Sequence, residues 1–159
     1  MPPGTKKSAV RKASPRKNRG NAGKSAAVVG GAPDFSGDVG THDYVIRMAE
    51  HVGSADIWLS NYDLEVKGIL WRYGSDVEVP DLDPYVQIYR DSFGGSRGWP
   101  GRGCVAGILA MLRLPIKKLY FYGCTDLFHS DETGKHRWPV ERAMLHDLAK
   151  QKGIKIIEA

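Results

Sequence analysis

Cysteine is scarce in this chain, with only Cys104 and Cys124 among 159 residues and no C-x-x-C pair. So few thiols exclude a disulfide framework, and their spacing excludes a cysteine zinc knuckle. Both read as small core or site-lining residues. Long apolar runs are missing too. No stretch approaches the ~18 apolar residues that a membrane helix needs. No short apolar core follows a basic start, as in a secretory leader, so a cytoplasmic protein without a membrane span is expected. Acids and aromatics are absent from residues 1–24, which carry Lys6, Lys7, Arg11, Lys12, Arg16, Lys17, Arg19 and Lys24. Such a segment buries too little apolar surface to offset the entropy of ordering, so residues 1–25 read as a disordered basic tail. The tail is either a solubilising leader or a tether for an anionic partner such as nucleic acid. The formal charge of +5 and pI near 9.2 describe this tail. The remaining 15 basic and 18 acidic groups leave residues 26–159 near −3.

What is present is an alternation of short apolar runs and helical stretches. "SAAVV", "HDYVIRMA" and "SADIWLSN" read as buried strands, and "YVQIYRD" (85–91) as a fourth. The segment between the third and fourth is ambiguous between a short helix and an extra strand. "GCVAGILAMLRL" has helical length and stops before Pro115. "KKLYFYG" is an aromatic-rich strand. "WPVERAMLHDLAKQKG" is a helix with Pro139 in its first turn, a stripe through Val140, Met144, Leu145 and Leu148, and Gly153 as its cap. "IKIIEA" closes the chain as a strand. The pattern predicts a single α/β domain, Rossmann-like, with a mostly parallel sheet and helices on both faces.

In open α/β sheets, ligands bind beyond the C-terminal ends of the strands. Those ends hold Gly30 and Gly31, Arg47, Asn61 and Gly123. Glycines let a ligand approach the backbone, arginine holds phosphate or carboxylate, and asparagine reads a polar edge. The helix start at Cys104–Gly107, with Ala106 and Gly107, offers unpaired N–H groups to an anion. Together these residues describe a nucleotide-type site. "GGAPDFSG" is neither the G-x-G-x-x-G fingerprint nor a Walker A loop, which sets aside the NAD and ATP phosphate-loop readings.

The motifs also resemble those of glycosyltransferase family 29, the sialyltransferases. "AAVVGGAPDFSGDVGTHDYVIRMA" resembles their large sialyl motif, and "CVAGILAMLRLPIKKLYFYGCTDLF" their small one. His136 to Glu141 is similar to their very short motif of His, four residues and Glu. The order and rough spacing agree over residues 26–159. Gly31, Ala49 and Ala106 depart from the pattern, standing where the family has Asn, Asn and a hydroxyl residue. The resemblance implies transfer of a sugar from a CMP-activated donor, CMP-sialic acid by analogy, to the hydroxyl of a glycan or other acceptor. Inversion without a metal or other cofactor is implied. It further implies His136 as the base, His129 as a donor to the departing phosphate, and Glu141 as part of the donor site. Histidine suits the first role because its pKa lies near neutrality. Glu141 would also be favoured in a helix's first turn by the dipole alone. The competing reading is a nucleotide- or nucleic-acid-binding module without catalysis, tethered by the basic tail.

Overall fold

Four consecutive apolar residues, Ala26 to Val29, suit a strand covered on both faces, and they form the centre of the sheet as β1 (Ser25–Val29). The structure, a computed structural model, describes residues 23–32, 35–49, 51, 53–92 and 98–159. Nearly all of the basic tail read at 1–25 therefore lies outside the described residues, as do residues 93–97. The other strands are β2 (Tyr44–Met48), β3 (Ile57–Ser60), β4 (Ile69–Arg72), β5 (Lys118–Tyr122) and β6 (Lys155–Glu158). All pair in parallel, in the order β4-β3-β2-β1-β5-β6. The helices are α1 (Asp83–Asp91), α2 (Arg102–Arg113), α3 (Thr125–His129) and α4 (Trp138–Lys152). This is the Rossmann-like α/β domain that the alternation of the sequence predicts, built on one hydrophobic core.

Two elements differ from the sequence reading. "YVQIYRD" forms most of α1 rather than a strand. Its apolar residues do not alternate: Leu82, Val86 and Tyr89 are buried at helical spacing, and Pro84 stands in the first turn. The fourth strand instead comes from "ILWR" in the ambiguous segment. The short helix α3 is held from outside its own sequence. Arg142 of α4 donates to the Leu127 and Ser130 carbonyls at 3.0 and 3.2 Å.

The helices also gather on one face of the sheet, where α2 packs on β1 and β5, and α1, α3 and α4 share its core. The connections β2–β3 and β3–β4 span only residues 49–56 and 61–68, too short for a crossover helix. Loops cover the opposite face. Phe35 and His42 pack against Tyr122, and His42 also bonds Ser25 and the Tyr122 hydroxyl, at 2.9 and 2.8 Å.

Gly107 lies where α2 presses on the sheet. A Cβ there would stand 2.7 Å from Phe121 Cζ and 2.8 Å from Leu145 Cδ2, both fully buried. Overpacking of this kind costs ~1–3 kcal/mol, against ~1 kcal/mol gained in helix propensity. Gly107→Ala should therefore lower stability by up to about 2 kcal/mol, read as a melting temperature several degrees lower. An unchanged melting temperature would show that Phe121 and Leu145 can move aside.

Candidate functional site

The chain runs outward from β1 to β4, then crosses back through α1 and α2 to β5 on the other side of β1. The connections leaving β1 and β5 thus diverge, and a crevice opens between them at the C-terminal end of the sheet. A cavity of about 620 Å³ occupies this place. Gly30, Gly31, Ala32, Gly123 and Cys124 line one side, and the start of α2 and the segment around His136 line the other.

Its floor is a backbone contact between two glycines. The Gly30 N–H donates to the Tyr122 carbonyl at 2.6 Å, and the Ala32 N–H to the Gly123 carbonyl at 3.0 Å. A Cβ on Gly30 would fall 2.4 Å from the Gly123 oxygen, and Gly123 itself has φ +67°. Side chains at either place would part the two strand ends. Above this floor α2 begins at Gly101 without any side-chain cap. The N–H groups of Arg102, Gly103 and Cys104 in its first turn have no helical acceptor, and all three residues line the cavity. An uncapped positive helix end facing a glycine floor is suited to an anion.

Glu141 governs the opposite wall. It is completely buried, in the first turn of α4. Its Oε1 accepts from the Gly101 N–H at 2.9 Å, and the Tyr89 hydroxyl donates to the same carboxylate. Its Oε2 faces His136 Nδ1 at 3.3 Å, a close but misaligned approach. Burial pushes the Glu141 carboxyl up to about 7, partly opposed by the Gly101 N–H and Tyr89. Burial, followed by the charge of Lys135, lowers His136. The carboxyl therefore takes up its charge near neutrality, while the imidazole is held toward its neutral form.

A second cavity of about 600 Å³ adjoins the first, and the two share Gly101, Arg102 and His136. Its lining includes Asn61, Tyr73, Asp76, Trp99 and Lys135.

Of the residues read from sequence, the first cavity gathers Gly30, Gly31, Gly123 and His136, with Glu141 directly behind. Asn61 lines the second cavity instead. Arg47 lines neither. It projects to the loop-covered face and donates to the carbonyls of Ser54 and Gly37 at 2.8 and 3.3 Å, bracing two connections. Ala106 and Gly107 are buried in the core one turn too deep, so the anion-facing groups are Arg102 to Cys104. His129 is mostly exposed and pairs with Glu158 at 2.6 Å on the surface, away from both cavities. Cys104 and Cys124 are free thiols, both lining the first cavity. His51 and Arg102 join that lining without any motif to announce them, and Trp138 joins it from within the His136–Glu141 stretch. Arg102 stands one residue before the stretch "GCVAGILAMLRL" and opens the helix. Among the described residues no group of three His, Cys, Asp or Glu is placed to hold a metal, and no helix is long and apolar enough to cross a membrane.

No family model, curated protein or solved structure matches this chain.

The raised carboxyl also marks stability. Between an ordinary glutamate value near 4.5 and about 7, the folded protein keeps a proton on Glu141 that the unfolded chain releases. Stability from this group is thus full below the lower value and is lost as pH rises through the upper one. Glu141→Gln does not titrate, so its stability relative to the wild type should climb across that window, by up to ~3 kcal/mol. Urea midpoints measured from pH 4.5 to 8 would read this, and parallel curves would contradict it.

Proposed function

We propose that the chain is a glycosyltransferase of the sialyltransferase type, moving a sugar with inversion from a CMP-activated donor to an acceptor hydroxyl. The observation that carries this reading is His136, which stands where the two cavities meet, backed by a buried carboxylate and opposite an uncapped helix end. The motif resemblance supplies the donor class. Gly31 and Ala106 depart from it, but the backbone N–H groups of α2 offer phosphate the contact that a hydroxyl side chain would have shared.

In this reaction the phosphate lies against Arg102, Gly103 and Cys104. The acceptor oxygen attacks the anomeric carbon from the face opposite the phosphate, and its proton passes to His136. The bond between that carbon and the phosphate oxygen breaks, and the electron pair leaves with CMP. The growing negative charge meets the positive end of α2 and the Arg102 guanidinium.

Glu141 decides which nitrogen of His136 can act. With the carboxyl ionised, Nδ1–H donates to Oε2 and leaves the Nε2 lone pair free as the base. With it protonated, the acid can donate to Nδ1, and Nε2 then carries the hydrogen and cannot accept one. Turnover should therefore rise with pH through about 7, where Glu141 ionises. Glu141→Gln is the sharper test. The Gly101 N–H demands the amide oxygen, which turns the NH₂ toward Nδ1 and holds the wrong tautomer. A loss of ~10²–10⁴ in kcat is expected, with CMP affinity nearly unchanged.

Isothermal titration of CMP tests the donor site, and a folded sample giving no heat at millimolar nucleotide would sink the proposal. His136→Ala should abolish transfer from CMP-sialic acid while CMP still binds. Survival of turnover would reassign the base. CMP binding without any turnover, in any variant, would favour the non-catalytic nucleotide module.

A further inference from the structure

The second cavity differs in chemistry from the first, where exposed backbone and a helix end prevail. Asn61 stands beyond the C-terminal end of β3, and Tyr73 follows β4 directly. Trp99 meets Tyr73 edge to face at 5.8 Å, and the Arg90 guanidinium lies 5.0 Å from the Trp99 ring centre. The indole is thus held from two sides while remaining part of the lining. Asp76 takes the Arg72 guanidinium at 2.8 Å, and Asp63 takes it at 2.6 Å. That clamp keeps the Asp76 carboxylate ionised and leaves it acceptor capacity. An aromatic wall, an exposed amide, an oriented carboxylate and, at the inner end, His136 make a mixed surface. Arg102 and Lys135 also line this cavity and would draw an anion, but the Asp76 carboxylate opposes one. A flat aliphatic ligand would strand Asn61 and Asp76. A saccharide satisfies all of them, because its C–H face packs on indole while its hydroxyls donate to Asp76 and exchange hydrogen bonds with Asn61.

We infer that this second cavity is a saccharide-binding subsite built on Asn61, Tyr73, Asp76 and Trp99, with one ligand hydroxyl directed at His136. The binding site stands on its own geometry. Its service as the acceptor subsite rests on the transferase reading above. Because the two cavities share only the strip Gly101, Arg102 and His136, saccharide and nucleotide occupy them together.

The test is saturation-transfer NMR on the full chain with lactose, maltose and N-acetylglucosamine at millimolar concentration, with and without saturating CMP. At least one sugar should receive saturation, and CMP should leave it bound. Trp99→Phe and Asn61→Ala should each weaken that binding five-fold or more while CMP affinity stays within two-fold. Asn61 is exposed, so its variant tests the site even if the Trp99 variant fails to fold. No saturation of any of the three sugars on a folded sample would overturn the inference. So would undiminished binding in both variants, or displacement by CMP, which would assign the cavity to the nucleotide. Saccharide binding without CMP binding would leave this site standing and remove the donor reading. CMP binding without saccharide binding would do the reverse.

Discussion

A single buried carboxylate holds the cavity end of this molecule together. Glu141 lies on α4, yet its oxygens reach the start of α2 through Gly101, the end of α1 through Tyr89, and the loop before α4 through His136. The Gly101 and Tyr89 contacts satisfy polar groups that the fold places away from water, where an unpaired one is costly, while Oε2 and Nδ1 approach without a bond. The carboxylate also occupies the Gly101 N–H, and the next three residues, whose N–H groups have no helical acceptor, line the cavity. The anion-facing helix end and the orientation of the histidine are thus consequences of one residue. Burial deep enough to make it a positioning group is also what raises its pKa.

The glycine floor shows a similar economy. Gly30 and Gly123 touch because β1 and β5 are neighbours whose connections leave in opposite directions, and only residues without Cβ can let them cross. The contact that closes the sheet at its switch point therefore also exposes backbone to a ligand. Packing and site share the same atoms, so the packing reading and the binding reading of these glycines do not compete.

Much of the fold could be read along the chain. The run Ala26 to Val29, the stripe on α4 and its cap at Gly153, which takes the left-handed conformation, are local signals of burial and termination. α1 was misread because Tyr85 to Asp91 is too short for its period to speak clearly, and the decisive partner, Leu82, lies before it. The single-sided helical layer was missed because it depends on connection lengths rather than on the elements themselves. In the site, Gly30, Gly31, Gly123 and His136 announced themselves as strand ends or motif residues. Arg47 sits at an equally suggestive strand end, but the pleat turns it to the loop-covered face.

By itself the sequence determined the parallel α/β architecture, the glycines at the switch point and the six-residue span from His136 to Glu141. Each of these follows from short-range rules of period, chain geometry and helix termination. Only the tertiary structure decided that Glu141 faces both Gly101 and His136, that Arg102 replaces Ala106 and Gly107 at the anion-facing turn, and that Asn61 joins Trp99 in a second cavity. Those relations link residues from 5 to 40 positions apart. The longer ones have no period to betray them, because they exist only once the strands have been ordered and the helices laid across them.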